Sequence, residues 1–250
     1  AGTGANASSL VVARGGMLMA EGTASAPSIM TSESDDITVG QTAGSSLTEN
    51  GRGLWGGLLV MGNAPCSFSG DVAELQIEGI PASETAGLYG GSDPADNSGV
   101  IQYVSIRHGG AEIGEGNEIN GLTLGGVGTG TTIDHIEVVG NVDDGIEFFG
   151  GTVNASELLV WGQGDDGLDI DQAYSGTISN SMVILNSASD HALEIDGPEG
   201  SAAGSFTLNN ITLVGTNDEC DPTGVDGEIS DYRKGATGAN NNVYVMNFTD

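Results

Sequence analysis

The sequence predicts an all-β chain wound as a parallel β-helix of about eight to ten coils, each near 24 residues. Three observations predict it. The 250 residues include 43 glycines, and no stretch sustains a 3.6-residue apolar period between caps, which argues against helices. Short apolar runs rich in Val, Ile, Leu and Thr are punctuated by Gly, Asn and Asp, the pattern of short strands and frequent turns. Finally, three different strand motifs recur in fixed order every 22–25 residues along the middle of the chain.

The first motif is small–apolar–polar–apolar: Gly121–Leu124, Gly145–Phe148, Gly167–Ile170 and Ala192–Ile195. Its leading apolar residues, Leu122, Ile146, Leu168 and Leu193, follow one another at 24, 22 and 25 residues. The second motif is Thr–apolar–polar, at Thr132–His135, Thr152–Ala155, Thr177–Asn180 and Thr207–Asn210. The third is an apolar run closed by Gly or Asn: Ile136–Gly140, Leu158–Gly162, Met182–Asn186 and Ile211–Gly215, with Tyr103–Gly109 and Val243–Asn247 as further copies. Strands alternate inward and outward side chains and stack on the next coil about 4.8 Å along the axis. Leu122, Ile146, Leu168 and Leu193 then form one inward line, and Leu124, Phe148, Ile170 and Ile195 the next. One coil cannot bury its own apolar face, so stability requires neighbours. An antiparallel sandwich leaves the recurring order unexplained.

We read residues 1–250 as a single β-helix domain with insertions at about 66–97 and 216–227. Leu10–Ser32 forms the first coils. Loops this long are usually functional or disordered, and in solenoids they often build one face. Each insertion carries one of the two cysteines, Cys66 and Cys220. A single disulfide in an oxidising compartment is expected if the insertions lie along the same side, since a bridge needs Cα atoms within about 7 Å. The strand-like Val243–Phe248 so near the end of the chain predicts a helix end that pairs with another chain or a further domain. The start at Ala1 rather than Met fits a removed leader or an internal start.

Charge excludes several partners. There are 35 Asp and Glu against five Lys and Arg, a net charge of −30, so nucleic acid and anionic membrane surfaces are not expected to bind. No apolar segment is long enough to span a bilayer.

The alternate, outward positions of the first motif collect the acid. One column reads Thr123, Glu147, Asp169, Glu194, the next Phe149, Asp171, Asp196, and Asp143, Asp144, Asp165, Asp166 and Asp190 occupy the turns just before. Like charges on neighbouring strands destabilise a sheet. A cation, a raised pKa or salt must compensate. Calcium, which takes six to eight oxygens, suits the composition. The candidate ligands are Asp143, Asp144, Glu147, Asp165, Asp166, Asp169, Asp171, Glu194 and Asp196. The alternatives are a solvated acidic face and a catalytic carboxylate pair, for which Asp165, Asp166, Asp169 and Asp171 are the candidates. Arg107, His108, Arg233 and Lys234 do not fall beside this strip in the repeat alignment, and His191 reads as a turn residue. There is no nucleophile elbow, and the Gly-rich runs open no helix that could hold phosphate.

The segments Leu10–Ser32 (LVVARGGMLMAEGTASAPSIMTS), Leu54–Pro65 (LWGGLLVMGNAP), Ile101–Gly110 (IQYVSIRHGG) and Asn117–Gly151 (NEINGLTLGG…DDGIEFFGG) resemble the pectate-lyase-like superfamily of right-handed parallel β-helices. They are similar in particular to secreted surface proteins of marine bacteria, largely of unknown function. The resemblance implies a right-handed coil and an extracellular or cell-surface, bacterial setting. The regular repeat, the lack of a coherent catalytic set and the bare helix end point to a non-enzymatic scaffold, adhesin or filament subunit stabilised by calcium. The superfamily and the acidic strip point instead to a protein that binds or degrades extracellular polysaccharide as a lyase or hydrolase. A calcium- or salt-responsive assembly switch is the third reading. The fold hosts both scaffolds and enzymes.

Overall fold

The computed structural model describes residues 7–111, 119–216 and 228–248. Two long parallel sheets run along one axis. The first stacks β1 (Ser9–Val12), β4 (Gly57–Met61), β8 (Leu122–Gly125), β10 (Ile146–Phe149), β12 (Leu168–Asp171), β14 (His191–Asp196) and β16 (Glu228–Arg233). The second stacks β2 (Leu18–Glu21), β7 (Gly99–Arg107), β9 (Thr132–Val139), β11 (Ala155–Trp161), β13 (Thr177–Ile184), β15 (Phe206–Val214) and β17 (Gly238–Met246), with β3 (Ser28–Met30) continuing the first rung beside β7. This is the parallel β-helix the repeat predicts. Each long sheet has seven rungs among the described residues, and residues 31–56 and 62–98 leave the coil.

The register puts the predicted residues in line. Leu58, Leu122, Ile146, Leu168 and Leu193 pair in succession, as do Val60, Leu124, Phe148, Ile170 and Ile195, and all ten are buried. Each such side chain contributes about 1.5–3 kcal/mol by leaving water. The small residue that opens the first motif also has a physical cause. A Cβ at Gly121, Gly145 or Gly167 would collide with the Cγ1 of Val138, Val160 or Val183 on the facing sheet.

The second and third motifs are one bent strand rather than two. At the bend Tyr103, His135, Glu157, Asn180, Asn210 and Asn242 all adopt φ between 50° and 56°, a region that only Gly, Asn and Asp visit readily. Side chains along this column bond to one another: Asn242 Nδ2 donates to Asn210 Oδ1 (3.0 Å), Asn210 Nδ2 to Asn180 Oδ1 (2.9 Å) and Asn180 Nδ2 to Glu157 Oε1 (3.2 Å). The rings of Tyr103 and His135 stack with centroids 4.1 Å apart.

Two alignments shift. Ala155 pairs with Ile133 and Ile178, so Thr152–Ala155 is two residues out. The Gly150-Gly151 turn, with φ of 61° and 79°, uses up those residues. Ser181, buried, takes the inward place assigned to Met182, which is exposed.

Residues 62–98 fold back as a roof over the outer face of the first sheet. Within it, β5 (Leu75–Gln76) and β6 (Leu88–Tyr89) pair antiparallel. Phe68, Ile77 and Tyr89 form a second core with the outward Leu59, Met61 and Phe149. Residues 31–56, not separated by the sequence reading, run past the ends of the second sheet. Arg52 there donates from Nε to the Gly162 carbonyl (2.9 Å) and from Nη2 to Asn186 Oδ1 (3.0 Å). The predicted 216–227 insertion lies, apart from Thr216, outside the described residues.

Candidate carboxylate cleft

The acidic site is built by β10, β12 and β14, whose outward residues Glu147, Asp169 and Glu194 pair rung to rung. The turns ahead of these strands add Asp143, Asp144, Asp165, Asp166 and Asp190, and the roof adds Glu78. Together with Arg233 they line a cleft of about 400 Å³. Nine carboxylates therefore face one guanidinium.

Several are removed from water. Asp144, Glu147 and Asp166 are only 6, 5 and 4% exposed. Oxygens of Asp144, Glu147 and Asp169 all lie within 4.8 Å of one another. Asn120 Nδ2 donates to Glu147, and the Asp166 amide donates to Asp144 Oδ1 (2.9 Å). Asp169 Oδ1 is enclosed and has no hydrogen-bond partner. Burial, then mutual repulsion, pushes Asp144, Glu147 and Asp169 well above the carboxylate range. Burial also raises Asp166, less strongly, since the His191 amide and ring oppose it. Asp171 rises to about 6, again chiefly through burial.

Of the nine predicted ligands, Asp143, Asp144, Glu147, Asp165, Asp166, Asp169 and Glu194 line the cleft, whereas Asp171 and Asp196 do not. Asp196 is held by Arg233 (Nε to Oδ1 2.8 Å, Nη2 to Oδ2 3.0 Å) and by Lys234 Nζ (2.6 Å). Arg233 also contacts Glu194. This corrects the expectation that no basic residue adjoins the strip. β16 is the next rung, and its Glu-Ile-Ser-Asp-Tyr-Arg lacks the small-residue opening, so the repeat search passed over it. Its Asp231 and Arg233, alternating with Ser230 and Tyr232 as Glu194 and Asp196 alternate with Leu193 and Ile195, were the available signal. Arg107 instead pairs with Glu137 (2.9 Å) on the second sheet, and His108 is buried with Nδ1 2.7 Å from the Gly51 carbonyl.

Sequence reading also missed His191 and Glu78. The backbone N of His191 donates to Asp166 Oδ1 (2.7 Å), and its Nδ1 lies 2.9 Å from the same oxygen. Among the described residues the Cys66 thiol is unbridged, with burial pushing it up to about 12; Cys220, and with it the expected disulfide, lies outside the described residues. No helix among the described residues is long and apolar enough to cross a membrane.

The geometry now stands beside one match: the family model for a pectate-lyase-like β-helix domain covers residues 1–250. No curated protein and no solved structure matches the chain.

Proposed function

Because the chain belongs to the pectate-lyase-like β-helix family, we propose that it is an extracellular, non-enzymatic surface module, a scaffold, adhesin or filament subunit, whose coils are tied together by calcium in the carboxylate cleft. One observation carries the reading. Asp144, Glu147 and Asp169 converge from two consecutive coils with oxygens within 4.8 Å, and no Lys or Arg pairs with them among the described residues. Buried like charges at this separation need a counter-ion or a proton. Calcium accepts carboxylates in flexible geometry and would turn the repulsion into a link between coils. The site would contain Asp144, Glu147 and Asp169, with Asp143 and Asp165 at its mouth. Asp196 is neutralised by the chain's own Arg233 and Lys234 and is a poorer ligand than the sequence suggested, while Glu194 shares Arg233 with it. The test is calorimetric titration with calcium at fixed, high ionic strength. Saturable binding is expected, and the absence of heat and of any stabilisation on adding calcium would sink the reading.

A polysaccharide-acting role draws on Asp171, a carboxylic acid raised to about 6 near Lys234, since acids tuned toward neutrality suit proton transfer. Release of reducing ends or unsaturated uronides from acidic polysaccharides, lost in Asp171→Asn, would favour it over the scaffold.

A further inference from the structure

Beside the oxygen-only triad the cleft holds a second convergence of different chemistry. One ligand atom each from Asp166, His191 and Glu194 lies within 4.8 Å of the others. We infer that this group is a separate site for a d-block divalent cation such as zinc, next to the calcium site. The inference rests on the reading of the cleft as cation-binding but not on calcium occupying it.

Ligand type argues for the difference. Calcium is served by oxygen alone, whereas an imidazole nitrogen with carboxylates suits zinc and its neighbours. His191 is fixed as a metal-binding histidine should be. It stands behind the cleft wall at Asp166 and Glu194, and its side chain is only 14% exposed. Its Nδ1 faces Asp166 at 2.9 Å and Asp190 at 3.6 Å, while Nε2 faces Glu228 at 3.7 Å. A ring with one nitrogen toward the ligand set and the other toward an outer carboxylate is the arrangement by which proteins orient metal-bound histidines. Asp166 is nearly fully buried and also accepts the His191 amide, which anchors it across two coils.

A second observation points to a ligand in the same cleft: the enclosed Asp169 Oδ1 has no hydrogen-bond partner, so the cleft contains an acceptor that the protein leaves unused. Arg233 does not preclude the site. It contacts Glu194 but holds Asp196 through two further bonds, and can keep Asp196 when Glu194 turns to a metal.

The test uses the full chain, first stripped with chelator. Zinc is titrated by competition with a chromophoric chelator in the presence of saturating calcium, and cobalt(II) is added in parallel as a spectroscopic probe of nitrogen ligation. The wild type is expected to bind one zinc and to give a visible cobalt spectrum. H191Q and, independently, E194Q should weaken zinc at least tenfold and change the cobalt spectrum, with calcium binding retained. H135Q should change nothing. D169N should weaken calcium and spare zinc. Unaltered zinc affinity in folded H191Q and E194Q, no zinc bound by the wild type, or stoichiometric displacement of zinc by calcium would each overturn the inference. Zinc binding without calcium binding would sustain it and dispose of the calcium reading alone.

Discussion

Asp169→Asn separates charge repulsion from ligand binding at a single atom. Asp169 sits between Glu147 and Glu194 in the outward column, and its oxygen lies within 4.8 Å of those of Asp144 and Glu147. Two unit charges at that distance repel by about 3 kcal/mol at an effective dielectric of 20. Uptake of a proton relieves part of this, so removing the charge should stabilise the metal-free protein by about 1–2 kcal/mol. Asn keeps the shape, so no cavity opens. In calcium the order of effects changes. The wild type should gain about 2.7 kcal/mol at a hundred times its dissociation constant, and a variant bound tenfold more weakly about 1.4 kcal/mol at the same calcium. For a chain of this length each kcal/mol moves the melting midpoint by about 2–4 °C. Thermal melts of both proteins, in chelator and in calcium at matched ionic strength, read all four states. If the variant melts below the wild type in chelator, Asp169 is not repelled; if it rises as far as the wild type on adding calcium, Asp169 is not a ligand; either result breaks the argument for the cleft.

Other consequences follow from the coil itself. Ile146→Asp places an uncompensated charge in the centre of the inward line and should cost about 3–5 kcal/mol or prevent folding, read by urea denaturation. Gly145→Ala drives a Cβ into Val160 and should cost about 1–3 kcal/mol; adding Val160→Ala should recover part of it, since contacting sites are not additive. Asp134 accepts from Gln102 (3.0 Å), Ser156 (2.6 Å) and the His135 ring (2.7 Å). Together these outweigh burial and hold it below the carboxylate range. Its contribution is therefore present above the unfolded-state pKa and lost as pH falls below about 4, so Asp134→Asn should flatten the acid limb of a pH–stability curve. Cys66, at about 12, should resist thiol reagents at pH 8 in the folded protein and react on unfolding, as mapped by mass spectrometry.

The coil was legible because its physics is periodic. An inward leucine line and a small residue facing a valine recur at each turn, so spacing alone finds them. What the repeat could not carry lay in residues used once. The roof's Phe68, Ile77 and Tyr89 have no counterparts in other coils. Yet the sequence held a trace of them, since Leu59, Met61 and Phe149 are apolar at outward positions, which only a cover explains. Glu78 and His191 were missed for the same reason. One arrives from the roof, and the other looks like any turn residue until Asp166 of the preceding coil is brought 2.9 Å from its ring.

The distribution of the five basic residues gives the cleft its meaning. Arg14 pairs with Glu74 (2.5 Å), Arg107 with Glu137, and Arg52 is spent on a carbonyl and an amide. Arg233 and Lys234 stand together on the rung beyond the acidic column, against Glu194 and Asp196. The chain thus neutralises one end of its acidic strip with its own cations. One rung back, the same outward column leaves Glu147 and Asp169 without such a cationic partner among the described residues, in a cleft that the roof borders through Glu78. A surface acidic only for solubility has no reason to bury Asp144, Glu147 and Asp166. Burying these carboxylates calls for a proton or a counter-ion, and an ion placed between two coils would act on stability most directly, by holding together rungs that otherwise repel.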